Sequence, residues 1–334
     1  MKRNYSLYQQ ALFLLSSLVP QKKILFFAKA IASIRVSWAF IFLLASCFSF
    51  SQSKINTFLT PSDTLNKNRK KAVLLTESAL LGTTLIGLNQ LWYNDFEQTS
   101  FHTINDSDEW LQLDKIGHFY STYHLTRLGA ESLAWSGTTQ KQQLIYGSTL
   151  GFGFLTTIEI FDGFSSEWGF SWTDMIANVS GTGLYVSQEL LWNEQRVTTK
   201  FSFHTTKYAV QNPDKLGNSF SEQLVKDYNG QTYWLSFNLH SFAKKSKLPK
   251  WLNLAIGYGG NGMLFGTNSE ALENGFYQNP RRQFYLSLDL DLTKIETKSH
   301  FLSTIFSLFS TVKIPAPALQ TNDFKGFKAY ILYF

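Results

Sequence analysis

Up to Arg196 the apolar residues come in helix-length stretches, and beyond it they alternate with polar ones. The first pattern predicts helices and the second, with its period of two, predicts strands. Ala72–Tyr93 reads as the first helix, apolar apart from Glu77, Asn89 and Gln90. At about 1.5 Å per residue it is long enough to span a bilayer. A loop over residues 94–113 carries Phe101, His102, Asn105, Asp106 and Trp110. A second helix is expected over Asp114–Trp135, made amphipathic by Arg127 and Glu131. The third, Gln142–Phe161, is the most apolar, with Gly147, Gly151 and Gly153 allowing close helix approach. The fourth runs from Thr173 to Asn193, with Ser171 as its cap and Gly181-Thr182-Gly183 as a small-residue face.

Strands are expected at Lys200–His204, Gln231–Phe242, Trp251–Gly259, Gln283–Thr293 and Lys325–Phe334, where aromatic and β-branched residues alternate with polar ones. Tyr285, Ser287, Asp289 and Asp291 fall on one face of the clearest strand. Gly259-Gly260-Asn261-Gly262 and Asn279-Pro280 supply turns. Residues 299–311 read as a short apolar helix closed by Pro315 and Pro317. The fold class is therefore α+β. A four-helix bundle over 72–196, partly membrane-associated, precedes a mostly antiparallel β-rich region over 197–334. Four or five strands are too few for a closed barrel of eight or more, although the terminal Tyr330–Phe334 strand resembles the last strand of such barrels.

Ahead of the bundle, residues 1–51 read as a signal or leader segment and 52–71 as a flexible linker. Residues 38–50 form an apolar run preceded by Lys29 and Arg35, too short to span a bilayer and suited to a signal-peptide core. Leu44-Ala45-Ser46-Cys47 has the small-residue pattern of a lipoprotein box, which would lipidate Cys47; the apolar flank after Cys47 favours the competing reading, ordinary cleavage near Ser51. Cys47 is the only cysteine, so an intrachain disulfide and a multi-cysteine zinc site are both excluded.

Charged residues make up only 16% of the chain and aromatics another 16%. That balance suits a membrane or envelope setting, because Trp and Tyr favour the membrane–water interface. The net charge of +6 is spread in short clusters. With no basic helix or reader motif beside it, nucleic acid is not an expected partner. A membrane or lipid is, and an envelope protein is a further candidate.

Chemistry concentrates in polar stretches inside the apolar helices: Asp114-Lys115-x-x-His118, Glu159-x-x-Asp162, Ser171-x-x-Asp174-x-x-x-Asn178, and Gln188-Glu189. Buried without partners, such groups cost several kcal/mol each, about 2–7 for a neutral one. Asp114 and His118 are i,i+4, as are Asp174 and Asn178, so each pair shares a helix face. In an up-down arrangement the second helix starts, the third ends and the fourth starts at one level. Asp114, Lys115, His118, Glu159, Asp162, Asp174 and Asn178 can then meet at one end of the bundle. His118, Glu159, Asp162 and Asp174 could hold a divalent metal, or a His–carboxylate pair could act as general base; which cofactor, if any, is left open. The plainer alternative is a self-satisfied network, with Lys115 or Arg127 paired to Glu159 and Asp174 capping its helix. No nucleophile elbow, phosphate loop or HExxH motif accompanies these residues.

At Asp114-Lys115-Ile116-Gly117-His118, Glu159-Ile160-Phe161-Asp162-Gly163, Ser171 through Asn178, and Gly181-Thr182-Gly183, the chain resembles the YfiM-like family of predicted bacterial periplasmic lipoproteins. The matching stretch runs from about Asn94 to Gln195. The same motifs resemble the VanZ-like membrane family more loosely, and the region past Phe201 resembles longer members from Bacteroidetes-type envelopes. The resemblance implies an address at the periplasmic face or outer membrane, in a helical domain of unknown function. The expected role is non-enzymatic lipid or partner binding, with a metal- or acid/base-dependent hydrolase of a lipid-linked substrate as the alternative.

Overall fold

A computed structural model describes residues 54–93 and 96–334. The leader over 1–51 and both readings at Cys47 and Ser51 lie outside the described residues. The helical part holds α1 (Lys67–Leu88), α2 (Leu113–Trp135), α3 (Gln140–Gly163) and α4 (Trp172–Trp192). Helix α1 starts inside the stretch read as linker, because the Asn66 side chain caps it by accepting from the Arg69 N–H. The residues just before α1 are tied to the end of α2: Ser62 donates to Trp135 O and Asn66 N–H to Ser136 O. By length and composition alone, α1 and α3 are apolar enough to cross a membrane.

Helices α2, α3 and α4 pack on one another, and small residues set how closely. A Cβ on Gly151 would lie 2.4 Å from Thr126 Oγ1, and one on Gly181 would lie 2.2 Å from the Phe119 carbonyl. Gly153 and Gly183, read from sequence as part of the same contacts, have nothing within 4 Å of that position among the described residues. They lie off the interfaces. Helix α1 touches the group more sparingly: Val73 and Glu77 are its buried residues, and Tyr146 Oη of α3 donates to Glu77.

A two-stranded parallel pair, β1 (Thr103–Ile104) and β2 (Phe170–Ser171), joins the loop before α2 to the turn before α4. The C-terminal region is an antiparallel meander of β3 (Val197–Phe203), β4 (Gln231–Asn238), β5 (Leu252–Asn261), β6 (Arg281–Leu290), β7 (Ala316–Asn322) and β8 (Lys328–Tyr333). Strand β7 was not expected from sequence. Its Ala-Pro-Ala start has no strand propensity, and pairing with β6 imposes the conformation. Short helices interrupt the meander: α5 (Pro213–Leu216), α6 (Phe220–Lys226), α7 (Leu239–Phe242), α8 (Asn268–Glu273) and α9 (His300–Phe309).

The sheet is curled, and its two faces are inverted relative to an ordinary water-soluble sheet. Tyr333 at the end of β8 reaches across the concave side to meet Trp234 of β4 edge-to-face and to pack at a tilt on Tyr285 of β6. The concave face also buries Lys200, Ser202, Thr232, Ser236, Asn253, Ser287, Asp289 and Gln320. On the convex face, register aligns Leu235, Ile256, Leu286 and Leu319 in one row across four strands. Ile256 is 52% exposed and Leu286 45%. Helix α2 covers the β3–β4 end of the convex face, where Tyr120 packs on Phe201 and Tyr233.

Candidate functional site

Three helix ends meet as their sequence spacing predicts, and the side chains they carry interlock. Lys115 lies at the centre. Its Nζ donates to Asp114 at 3.0 Å, to Asp174 at 2.9 Å and also to Asp106. One turn along α2, His118 Nε2 lies 3.5 Å from Glu159 Oε1 of α3 and 4.0 Å from Asp114 Oδ1. Its other ring nitrogen, Nδ1, is 3.2 Å from Asn178 Oδ1 of α4. Six of the seven residues read from sequence are thereby joined. The seventh, Asp162, sits to one side and accepts from Tyr93 Oη at 2.5 Å.

Two pairings expected from sequence are not the ones that form. Arg127 does not reach Glu159; it binds Glu131 on its own helix and Ser307 and Ser310 at the end of α9. Lys115 likewise spends its donors on the three aspartates, so Glu159 pairs with His118 and accepts from the Ser171 N–H at 3.1 Å. Nor does Asp174 cap α4: the Ser171 side chain accepts from the Asp174 N–H. Gln188 and Glu189 lie at the far end of α4. There Gln188 Oε1 accepts from the N–H groups of Arg196 and Val197, fixing the junction between helix and sheet.

Sequence reasoning missed Asp106, Thr173, Tyr93 and Tyr228. Asp106 belongs to a polar loop, and no pattern in the sequence marks it. The β1–β2 bridge brings it beside Ser171, whose Oγ donates to it at 2.7 Å, and Thr173 Oγ1 donates at 2.9 Å. Tyr228, reaching in from the β-rich region, donates to Asp114 at 2.8 Å. The loop delivering Asp106 and Lys115 passes through Trp110, Leu111 and Gln112, all with left-handed backbone. Such a conformation costs about 1–2 kcal/mol per residue. The sheet helps hold it, because Tyr258 Oη and Arg282 both donate to the Leu111 carbonyl.

Burial and mutual repulsion push these carboxyls apart in acidity. Burial raises Asp114, but His118 and Lys115 beside it outweigh that and keep it below the ordinary carboxylate range. Asp106 is lowered in the same way, by hydrogen bonds from Lys115 and Ser171 working against burial. Asp174 goes the other way, up to about 7, through burial and the Asp114 charge. Glu159, only 1% exposed, is pushed up to about 8, chiefly by burial and then by Asp174 and Asp162, with His118 opposing. Asp162 rises to about 6 for the same first reason. His118 is raised: burial disfavours its cation, and Asp114, Asp174 and Glu159 together prevail. The ensemble can therefore hold, share or exchange protons near neutral pH.

Residues 103–189 match the model of a family described as predicted periplasmic lipoproteins, DUF2279. That span covers β1, α2, α3 and most of α4, and with them the whole polar cluster except Tyr93 and Tyr228. No curated protein and no solved structure matches the chain. The match fits an uncharacterised protein of the cell envelope.

Proposed function

We propose that this chain is a non-enzymatic envelope protein that lies against lipid at the outer membrane, using the convex face of its sheet. The carrying observation is the inverted polarity of β4 to β7, with Asn253, Ser287 and Asp289 inside and Leu235, Ile256, Leu286 and Leu319 outside. Water-soluble sheets bury the apolar face, and an exposed contiguous apolar face marks an interaction surface. Lipid is favoured over a protein partner by what flanks this face. The α7–β5 loop exposes Lys244, Lys245, Lys247 and Lys250 around Leu248 and Trp251. Lysines and an indole side by side suit an anionic headgroup layer. In this reading the Asp114–His118–Asp174 cluster is the polar heart that fixes the helices beside the lipid-facing part of the sheet.

Flotation of the full-length protein with vesicles of phosphatidylethanolamine and phosphatidylglycerol tests this directly. Wild type should rise with the vesicles, and an Ile256→Thr/Leu286→Thr variant should be recovered several-fold less. Equal recovery of the two proteins, or no flotation of either, overturns the reading.

A metal- or acid/base-dependent hydrolase of a lipid-linked substrate is the second reading, because Glu159 and His118 form a buried pair able to pass a proton near neutral pH. It requires His118→Ala and Glu159→Gln to abolish turnover of a lipid-linked ester or phosphodiester while the protein stays folded. Unchanged turnover, or none by wild type, removes it.

A further inference from the structure

The polar cluster leaves one acceptor unused at its centre. Asp174 is 3% exposed; its Oδ2 binds Lys115, while its Oδ1 has no hydrogen-bond partner among the described residues. Four carboxylates, from Asp106, Asp114, Glu159 and Asp174, surround one ammonium and one imidazole. The His118 ring adds a second, independent sign. Its Nδ1 lies 3.2 Å from Asn178 Oδ1, which aims Nε2 at the oxygens of Glu159 and Asp114, 3.5 and 4.0 Å away. A cation placed there would be ligated by Nε2 and by carboxylate oxygens together. An imidazole whose far nitrogen is held by a side-chain oxygen is also the usual arrangement of a ligating histidine.

We propose that Asp114, His118 and Asp174 bind one divalent first-row metal ion, of the Zn²⁺ or Mn²⁺ class. One candidate ligand atom from each of the three lies within 4.8 Å of the other two. Two donors about 2.1 Å from a shared ion are at most about 4.2 Å apart, so small side-chain adjustments bring the triad to ligating distance. One nitrogen and two carboxylate oxygens suit this class of ion better than Cu(I), which prefers sulfur, or Ca²⁺, which prefers an all-oxygen shell. Lys115 keeps its bond to Asp106 when the ion takes over Asp114 and Asp174. Glu159, beside Nε2, is the nearest candidate for a further ligand, whereas Asp162 is held by Tyr93 outside the triad. The site is independent of the lipid-facing sheet, so either proposal can fail alone.

The full-length protein in detergent is stripped with chelator, incubated with Zn²⁺ or with Mn²⁺, desalted and assayed for bound metal and thermal unfolding. We expect close to one equivalent of one of the two ions and a higher unfolding temperature. Asp174→Asn and His118→Gln should weaken binding by about tenfold or more, and Glu189→Gln at the far end of α4 should not. Because either ligand variant could fail to fold, wild-type stoichiometry is decisive by itself. Substoichiometric metal with no change in unfolding temperature overturns the proposal, as does full occupancy retained in a folded Asp174→Asn protein.

Discussion

Lys115 shows at the scale of one residue how much a buried charge depends on its neighbours. Its ammonium is shared by Asp106, Asp114 and Asp174, which otherwise face one another in a poorly hydrated site. Breaking a buried charge set by removing one partner costs about 3–5 kcal/mol. Lys115→Met should lose stability of that order in denaturant unfolding of the metal-free protein, and a second change, Asp106→Asn, should restore part of it. His124 gives a pH prediction away from this cluster. Its Nε2 lies 2.9 Å from the Thr199 carbonyl, and burial, then Arg127, hold the imidazole down at about 3. The unfolded chain therefore takes up this proton first, at about 6.5. Stability from this group is complete above that pH and falls below it by up to about 1.4 kcal/mol per unit until the folded histidine protonates near 3. In unfolding curves at pH 7.5 and 5, His124→Gln should narrow the difference seen in wild type. Single residues were legible from sequence only where spacing spoke for them. Asp114 with His118 and Asp174 with Asn178 sit one helical turn apart, whereas Asp106 was invisible because a two-residue bridge between distant segments delivers it.

Elements were more legible, because hydrophobic period and capping chemistry are local. The second, third and fourth helices form close to where apolar spacing and the Ser171 cap place them. What spacing could not give was the partner of each helix face. Arg127 looked like a neighbour of Glu159 because both lie in the helical region, yet its long-range partners are Ser307 and Ser310 at the end of α9, about 180 residues further along. Small residues pose the same problem. Gly181 and Gly183 read identically in sequence, but a Cβ on Gly181 strikes the Phe119 carbonyl and one on Gly183 meets nothing among the described residues. Gly181→Ala should therefore force α2 and α4 apart and cost about 1–3 kcal/mol. Gly183→Ala should gain up to about 1 kcal/mol through the backbone entropy that glycine otherwise loses in a helix. Thermal melts followed by far-ultraviolet circular dichroism separate the two, and equal effects would mean that the α2–α4 contact is not close-packed.

Across the whole molecule, alternation announced the strands but not which face turns inward, since the ordinary rule buries the apolar side. The strand carrying Tyr285, Ser287, Asp289 and Asp291 was readable as two-faced. Only its curvature, with Tyr333 crossing the concave side and Lys200 and Lys313 converging on Asp289, makes the polar face the interior. That inversion reverses which substitutions should hurt. Asp289 is 0% exposed, 2.6 Å from Lys200 Nζ and 3.6 Å from Lys313 Nζ, and accepts from Ser236 Oγ. Asp289→Leu leaves two ammonium groups facing each other in a closed space and should cost about 3–5 kcal/mol. Replacing all three, as Lys200→Met, Asp289→Leu and Lys313→Met, should recover most of that, because the charges were desolvated in any case. Leu286→Thr on the convex side should stay within about 0.5 kcal/mol, as exposed positions do. Denaturant unfolding in detergent measures all three variants on one scale. In a sheet with a conventional core the order would be the opposite, with the leucine change severe and the aspartate change mild, and that outcome would remove the basis for placing lipid against the convex face.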